Sequence, residues 1–115
     1  MPTEMTVWRT RPVADQPEVK LTHWQIFRLP DGAAHAVGYN VRDGEGRVSS
    51  ELIALDLLGT RVRTRSGRIY QLVGDPGWHS DAEYVLGHWC AINQVEYQSL
   101  GFISIEELST LPGFE

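Results

Sequence analysis

The stretch from Thr60 to Gly74 constrains the fold most, because it has the pattern of a β-hairpin. Two runs with β-branched and aromatic residues flank Ser66 and Gly67, a dipeptide that is typical of turns. With these two residues as the loop, side-chain alternation places four arginines and one tyrosine on one face of the hairpin. This face consists of Arg61, Arg63, Arg65, Arg68 and Tyr70. The other face, which carries Val62, is then turned towards a core.

The length and the cysteine content set the class of protein. A chain of 115 residues is expected to form one domain that buries a core without covalent staples. The single cysteine, Cys90, excludes an intramolecular disulfide and fits a reducing compartment. No apolar run approaches the ~18 residues of a membrane span, and residues 1–16 lack the apolar centre of a secretion signal. The expected location is the cytoplasm, without membrane association.

The predicted fold is α+β, with residues 1–19 as a flexible N-terminal arm and residues 20–115 as a single domain. The arm contains three prolines and mixed charges, and its Trp8 can dock on the body or on a neighbour. Strands are predicted over 20–29, 33–41 and 47–57, although 52–58 also fits a helix. Because turn-linked strands precede the first helix, we expect an antiparallel meander of about five strands.

One main C-terminal helix is predicted to pack on this sheet. Ser80 and Glu83 have the spacing of a capping box, so the helix should begin at Ser80 and run to about Val95. Its apolar stripe consists of Ala82, Val85, Leu86, Trp89 and Ile92. A short apolar run over 100–103 is a candidate edge strand. A second capping box at 104–107 predicts a short final helix.

The net charge of −5 is unevenly distributed. Residues 60–74 carry four arginines and no acid, whereas residues 75–115 carry seven acids and no lysine or arginine. On a rigid sheet, arginine forks with an aromatic among them suit carboxylates, phosphates or single-stranded nucleic acid. The structural alternative is a solvated strand face that resists edge pairing or pairs with the acidic third of the chain. We predict the five residues of the arginine face as the binding site.

No catalytic residue, metal ligand or cofactor site is predicted. His88 and Cys90 are two residues apart on the predicted helix and therefore do not share a face. No zinc-binding spacing, phosphate-binding loop or dinucleotide fingerprint occurs. Cys90 is read as a small buried apolar residue, with a nucleophile assisted by a histidine as the alternative.

Three segments carry a resemblance to known sequences: Gly46–Ser50, Thr64–Tyr70 and the helix from Tyr84 to Trp89. They resemble a group of small uncharacterised proteins of proteobacteria, often found on prophage or plasmid DNA. The resemblance covers about the middle two-thirds of the chain and implies no catalytic residues. It implies an accessory, regulatory or anti-defence role by association.

Three functions from different classes follow from these observations. The first is a non-enzymatic accessory, regulatory or anti-defence protein that binds a protein partner through one face of its sheet. The second is a nucleic-acid-binding module that uses the Arg61–Arg68 hairpin, although the acidic total opposes general nucleic-acid affinity. The third is a small enzyme that uses Cys90 or a histidine. We expect the first, and a homodimer is compatible with it.

Overall fold

The computed structural model describes the backbone of Met5–Thr6 and residues 12–114. Trp8 and eight other residues of the predicted 19-residue arm lie outside the described residues. Eight strands occur in the described part of the chain: β1 (Met5–Thr6), β2 (Glu18–Arg28), β3 (Ala34–Asn40), β4 (Glu45–Val48), β5 (Leu52–Asp56), β6 (Arg61–Thr64), β7 (Ile69–Leu72) and β8 (Gly101–Ile103). One α-helix, α1 (Ser80–Ile92), and two 3-10 helices, Tyr97–Ser99 and Ile105–Leu108, complete the fold. The predicted α+β class with one main helix is confirmed.

The strands form one mixed sheet, and the predicted all-antiparallel meander of about five strands is wrong. The order is β1-β4-β3-β2-β7-β6-β5, and β8 also pairs with β2. The long strand β2 is antiparallel to β3 and β8 but parallel to β7. Two short antiparallel meanders, β2-β3-β4 and β5-β6-β7, therefore meet along β2.

This arrangement arises because the predicted third strand, 47–57, is divided at Ser49–Glu51 into β4 and β5. The Ser49 hydroxyl accepts a hydrogen bond from the Ala36 amide at 2.9 Å and donates one to the Ser50 carbonyl at 2.7 Å. Serine side chains that bond the backbone in this way compete with continued strand pairing. The chain leaves the first meander here and returns to β2 from its other side.

The sheet curls around one core and carries a second core on its outer face. The inner core joins β2 and β3 to β5, β6 and β7, and the 3-10 helix Ile105–Leu108 packs onto it. Its central side chains include Leu21, Ile26, Val62, Tyr70 and Leu72. The outer core lies between α1 and β2, β3 and β4, and it includes Phe27, Val37, Val48, Leu86 and Trp89. Strand β2 thus contributes to both cores, with Leu21 and Ile26 on one face and Phe27 on the other.

Helix α1 begins at Ser80 as predicted and buries most of the predicted stripe, but it ends at Ile92 instead of about Val95 and has a different N-cap. Trp89 is fully buried as predicted, whereas Ile92 is 68% exposed because it lies off the i, i+3, i+4, i+7, i+8 spacing that ends at Cys90. The N-cap is His79, whose Nδ1 accepts the Asp81 amide at 3.1 Å, so the predicted N-terminal capping box is wrong. The second predicted capping box, between Ser104 and Glu107, is present.

Gly46 is the position at which α1 presses on the sheet. A Cβ atom there would lie 2.4 Å from the Asp81 carbonyl oxygen, closer than real Cβ contacts. Gly87, within α1, is exposed and has open space around its Cβ position. No helix in the described residues is long and apolar enough to cross a membrane.

Candidate functional site

The β6–β7 hairpin has a three-residue loop. This loop length places the side chains of the predicted arginine face on two opposite faces of the sheet. The structure pairs Val62 with Tyr70 and Arg63 with Ile69, one residue away from the predicted register. A one-residue slip moves every side chain of a strand to the opposite face. Arg68 and Tyr70 consequently point inward and are 1% and 0% exposed. The prediction of one exposed face with all five side chains is wrong.

The inward-pointing Arg68 is part of a buried polar group that the sequence pattern does not indicate. Its Nε donates to the Gln16 carbonyl at 2.9 Å. The fully buried Arg47 of β4 donates to the Gln16 side chain at 3.3 Å and lies 3.7 Å from Glu45. Gln16 also donates to Asp43 at 2.9 Å. These contacts tie residues 16–18 of the predicted arm to the body of the domain.

The outer face of the sheet is covered by α1 on only one half. Helix α1 packs against β3 and β4, and the register places a band of mostly polar side chains on the other half. This band, which we call the bare face, consists of Glu18, Lys20, Ala54, Asp56, Arg61, Arg63, Ile69 and Gln71. Two of the five predicted site residues, Arg61 and Arg63, lie near its centre.

Arg61 on the bare face is held by a carboxylate on the neighbouring strand. Its Nε and one Nη donate to Asp56 Oδ2 at 3.2 and 3.1 Å. The Gly59 amide donates to the other Asp56 oxygen at 3.1 Å. The hydrogen bond from the Gly59 amide lowers the pKa of Asp56 most, and the hydrogen bond from Arg61 lowers it further. The pair therefore stays charged and fixes the direction of the Arg61 guanidinium.

Arg65 and Arg63 have different surroundings from Arg61. Arg65 lies in the exposed hairpin loop and pairs with Glu51. Arg63 is half-buried, and no carboxylate of the described residues lies within ion-pair distance of it. Its Nε is buried without a hydrogen-bond partner among those residues. Arg63 therefore has a buried hydrogen-bond donor that stays unused among the described residues.

The ring of Phe114 covers both arginines of the bare face. It lies 5.1 Å from the Arg61 guanidinium carbon and 4.5 Å from that of Arg63, the geometry of cation–π contacts. The preceding residues follow the outer edge of β5, where the Pro112 carbonyl accepts the Leu55 amide at 2.9 Å. Nothing in the sequence pattern points to Phe114, because Pro112 and Gly113 indicate only the end of a helix.

Apolar side chains lie beside the bare face, at the β5–β6 turn and on β5. Leu58 is fully exposed, and Leu57 and Ile53 are 45% and 39% exposed. A separate exposed group contains Trp78 and Phe102, whose ring centroids are 5.4 Å apart. Exposed apolar residues next to arginines are the composition of protein interfaces.

Cys90 and the histidines do not form an obvious reactive group. Cys90 is buried in the outer core, and burial raises the pKa of its thiol. His35 is buried against Phe27 and Trp89, and desolvation by burial lowers its pKa. His88 lies on the exposed side of α1 against Tyr84. No cluster of three or more metal-ligating side chains occurs in the described part of the chain.

The comparisons with known proteins assign no family to this geometry. No family model, curated protein or solved structure matches the chain.

Proposed function

We propose that the chain is a non-enzymatic accessory protein that binds a protein partner through the bare face of its sheet. The observation that carries the proposal is Arg63, a half-buried arginine with an unpaired Nε on the half of the sheet that α1 leaves open. Arginine is enriched in protein interfaces because its planar fork binds carboxylates and stacks on rings. A regulatory or anti-defence role, as the resemblance implies, is included in this proposal.

The charges of the bare face favour a protein partner over nucleic acid. Asp56 neutralises Arg61, and Glu18 lies on the same face, opposite Ile69 on β7. Arg65 is paired with Glu51 outside this face, and Arg68 is buried. Nucleic-acid affinity depends on several cations that replace counterions along the phosphate backbone. A surface with alternating charges and apolar neighbours instead matches a folded or extended polypeptide.

The burial of Cys90 opposes the enzymatic alternative. A nucleophilic cysteine needs a thiolate, an accessible sulfur and a cationic or basic neighbour. The raised pKa keeps the thiol protonated at neutral pH, and only 4% of the residue is exposed. We therefore place the function in binding.

Affinity capture with matched variants tests the proposal. The wild-type chain is immobilised, incubated with nuclease-treated lysate of the native host, and compared with Arg61→Ser/Arg63→Ser. Arg65→Ser, in the same hairpin but outside the bare face, and Trp78→Ala, in the other exposed apolar group, serve as controls. We expect one set of proteins to be captured by the wild type and both controls and lost from the double variant.

Stability and salt measurements separate the possible outcomes. The double variant should remain folded, because a partly exposed ion pair contributes only ~0–1 kcal/mol. Capture of protein should change weakly with salt, whereas a nucleic-acid partner would give a steep log-linear loss of affinity. Equal capture by the wild type and the double variant would show that the bare face is scaffold.

A further inference from the structure

The bare face already holds a ligand-like segment of its own chain. Residues 112–114 lie along the edge of β5 and over β6, with a backbone hydrogen bond from Leu55 to Pro112 and the Phe114 ring over two guanidiniums. A backbone hydrogen bond from an edge strand to a second segment is the kind of contact on which β-augmentation depends. We call residues 112–114 the cap.

The cap shows which chemistry the bare face accepts. An aromatic ring fits over Arg61 and Arg63, because their charges are attracted to its π face. The backbone of the ligand can accept a hydrogen bond from the Leu55 amide. Ala54, opposite Arg63 on β5, is 5% exposed and adds a small apolar side chain to this surface.

The cap does not satisfy the whole site. Arg63 keeps a buried Nε without a partner among the described residues. A buried donor without an acceptor is unfavourable, and a carboxylate is the strongest acceptor for a guanidinium. A ligand with an aromatic residue and an adjacent acidic residue therefore offers a ring to both guanidiniums and a carboxylate to Arg63. Arg61 does not compete for that acid, because it is paired with Asp56.

From these contacts we infer that the partner presents an extended segment with an aromatic residue next to an acidic residue, and that this segment displaces the cap. This inference rests on the proposed function and specifies the partner at the same surface. Leu111 packs against the inner core, and its amide donates a hydrogen bond to the Leu108 carbonyl. The chain therefore stays anchored at Leu111 when residues 112–114 leave the bare face. The cap is thus an intramolecular competitor that lowers the apparent affinity for the partner.

Peptide binding to the full chain tests this inference. The probe is a fluorescein-labelled peptide with the sequence Ser-Thr-Leu-Pro-Gly-Phe-Glu, measured by fluorescence polarisation. Phe114→Ala should bind it about tenfold more tightly than the wild type, because the competing ring is removed. Adding Arg63→Gln to Phe114→Ala should abolish this binding, whereas adding Arg65→Gln should leave it unchanged. Peptides with alanine for phenylalanine or glutamine for glutamate should bind at least several-fold more weakly.

Other outcomes distinguish this inference from the proposed function. Equal peptide binding by the wild type and Phe114→Ala would overturn the idea of a displaceable cap, and loss of binding with Arg65→Gln would overturn the assignment to Arg63. If Phe114→Ala is unstable in thermal denaturation, Phe114→Leu keeps apolar bulk without the cation–π contact and should still bind more tightly than the wild type. If no peptide binds but Arg61→Ser/Arg63→Ser still loses its captured protein, the proposed function stands and the aromatic-acidic segment is wrong.

Discussion

Thr64 faces Arg68 at the end of the β6–β7 hairpin, and its amide donates to the Arg68 carbonyl at 2.9 Å. The loop therefore has three residues and ends with Gly67 at a φ of +97°, as in hairpins with a glycine in the left-handed region. This pairing determines which side chains of the hairpin are accessible, because it directs Arg68 and Tyr70 into the core and Arg61 and Arg63 to the outer face.

Alanine at two glycines should change stability in opposite directions. Gly46→Ala should lower the free energy of unfolding by about 1–3 kcal/mol, because its Cβ would overlap the Asp81 backbone. Gly87→Ala should raise it by about 0.5–1 kcal/mol, because the site is open and alanine favours helices. Urea denaturation of both variants measures these values. A loss of stability in Gly87→Ala would contradict the described surroundings of α1.

The cap of α1 should depend on His79 and not on Ser80. His79→Ala should cost about 1–2 kcal/mol, since it removes the acceptor for the Asp81 amide and a ring stacked on Tyr39 at 3.8 Å. His79→Asn restores the acceptor and should recover part of this loss. Ser80→Ala should cost less than about 0.5 kcal/mol. Thermal denaturation at pH 8 compares the three variants, and a larger effect at Ser80 would show that the cap is misassigned.

The free energy of unfolding should decrease as the pH falls below about 6.5, because His35 is buried in its neutral form. Its Nδ1 lies 3.0 Å from the Ser49 carbonyl, so Nδ1 carries the proton that donates to this oxygen. Burial lowers its pKa from 6.5, so the unfolded chain binds the additional proton first as the pH falls. The contribution of neutral His35 to the free energy of unfolding is complete above pH 6.5. It decreases as the pH falls from 6.5 to the pKa of His35 in the folded state, by at most ~1.4 kcal/mol per pH unit.

Urea denaturation between pH 5.5 and 7.5 measures this dependence. His35→Gln cannot titrate in this range, and its stability curve should be flatter than that of the wild type. Parallel curves for the two proteins would assign the dependence to other groups.

Cys90 should be unreactive in the folded protein. Its burial and its raised thiol pKa both reduce attack on iodoacetamide. Alkylation at pH 7.5 should be on the order of 100-fold slower in the native chain than in guanidinium chloride, because it requires local opening. Mass spectrometry over time measures both rates. Fast alkylation of the native chain would revive the enzymatic alternative.

Local signals were enough to predict several elements of this fold. The turn at 30–32, where Asp31 accepts the Ala33 amide at 2.9 Å, is a property of adjacent residues. The same holds for the Ser104 capping box and for the burial of Trp89, whose helical spacing is visible in the sequence. Such features depend on residues that are close to one another in the sequence.

Tertiary structure decided the sheet and the site. The parallel pairing of β2 with β7 joins residues about fifty positions apart, and no local pattern specifies that choice. One additional loop residue moved Arg68 and Tyr70 into the core, since the side-chain period of a strand is two. Phe114 reaches Arg61 and Arg63 only because the chain folds back along β5. The sequence alone determined which arginines exist in the hairpin, and the long-range packing determined which of them can meet a partner.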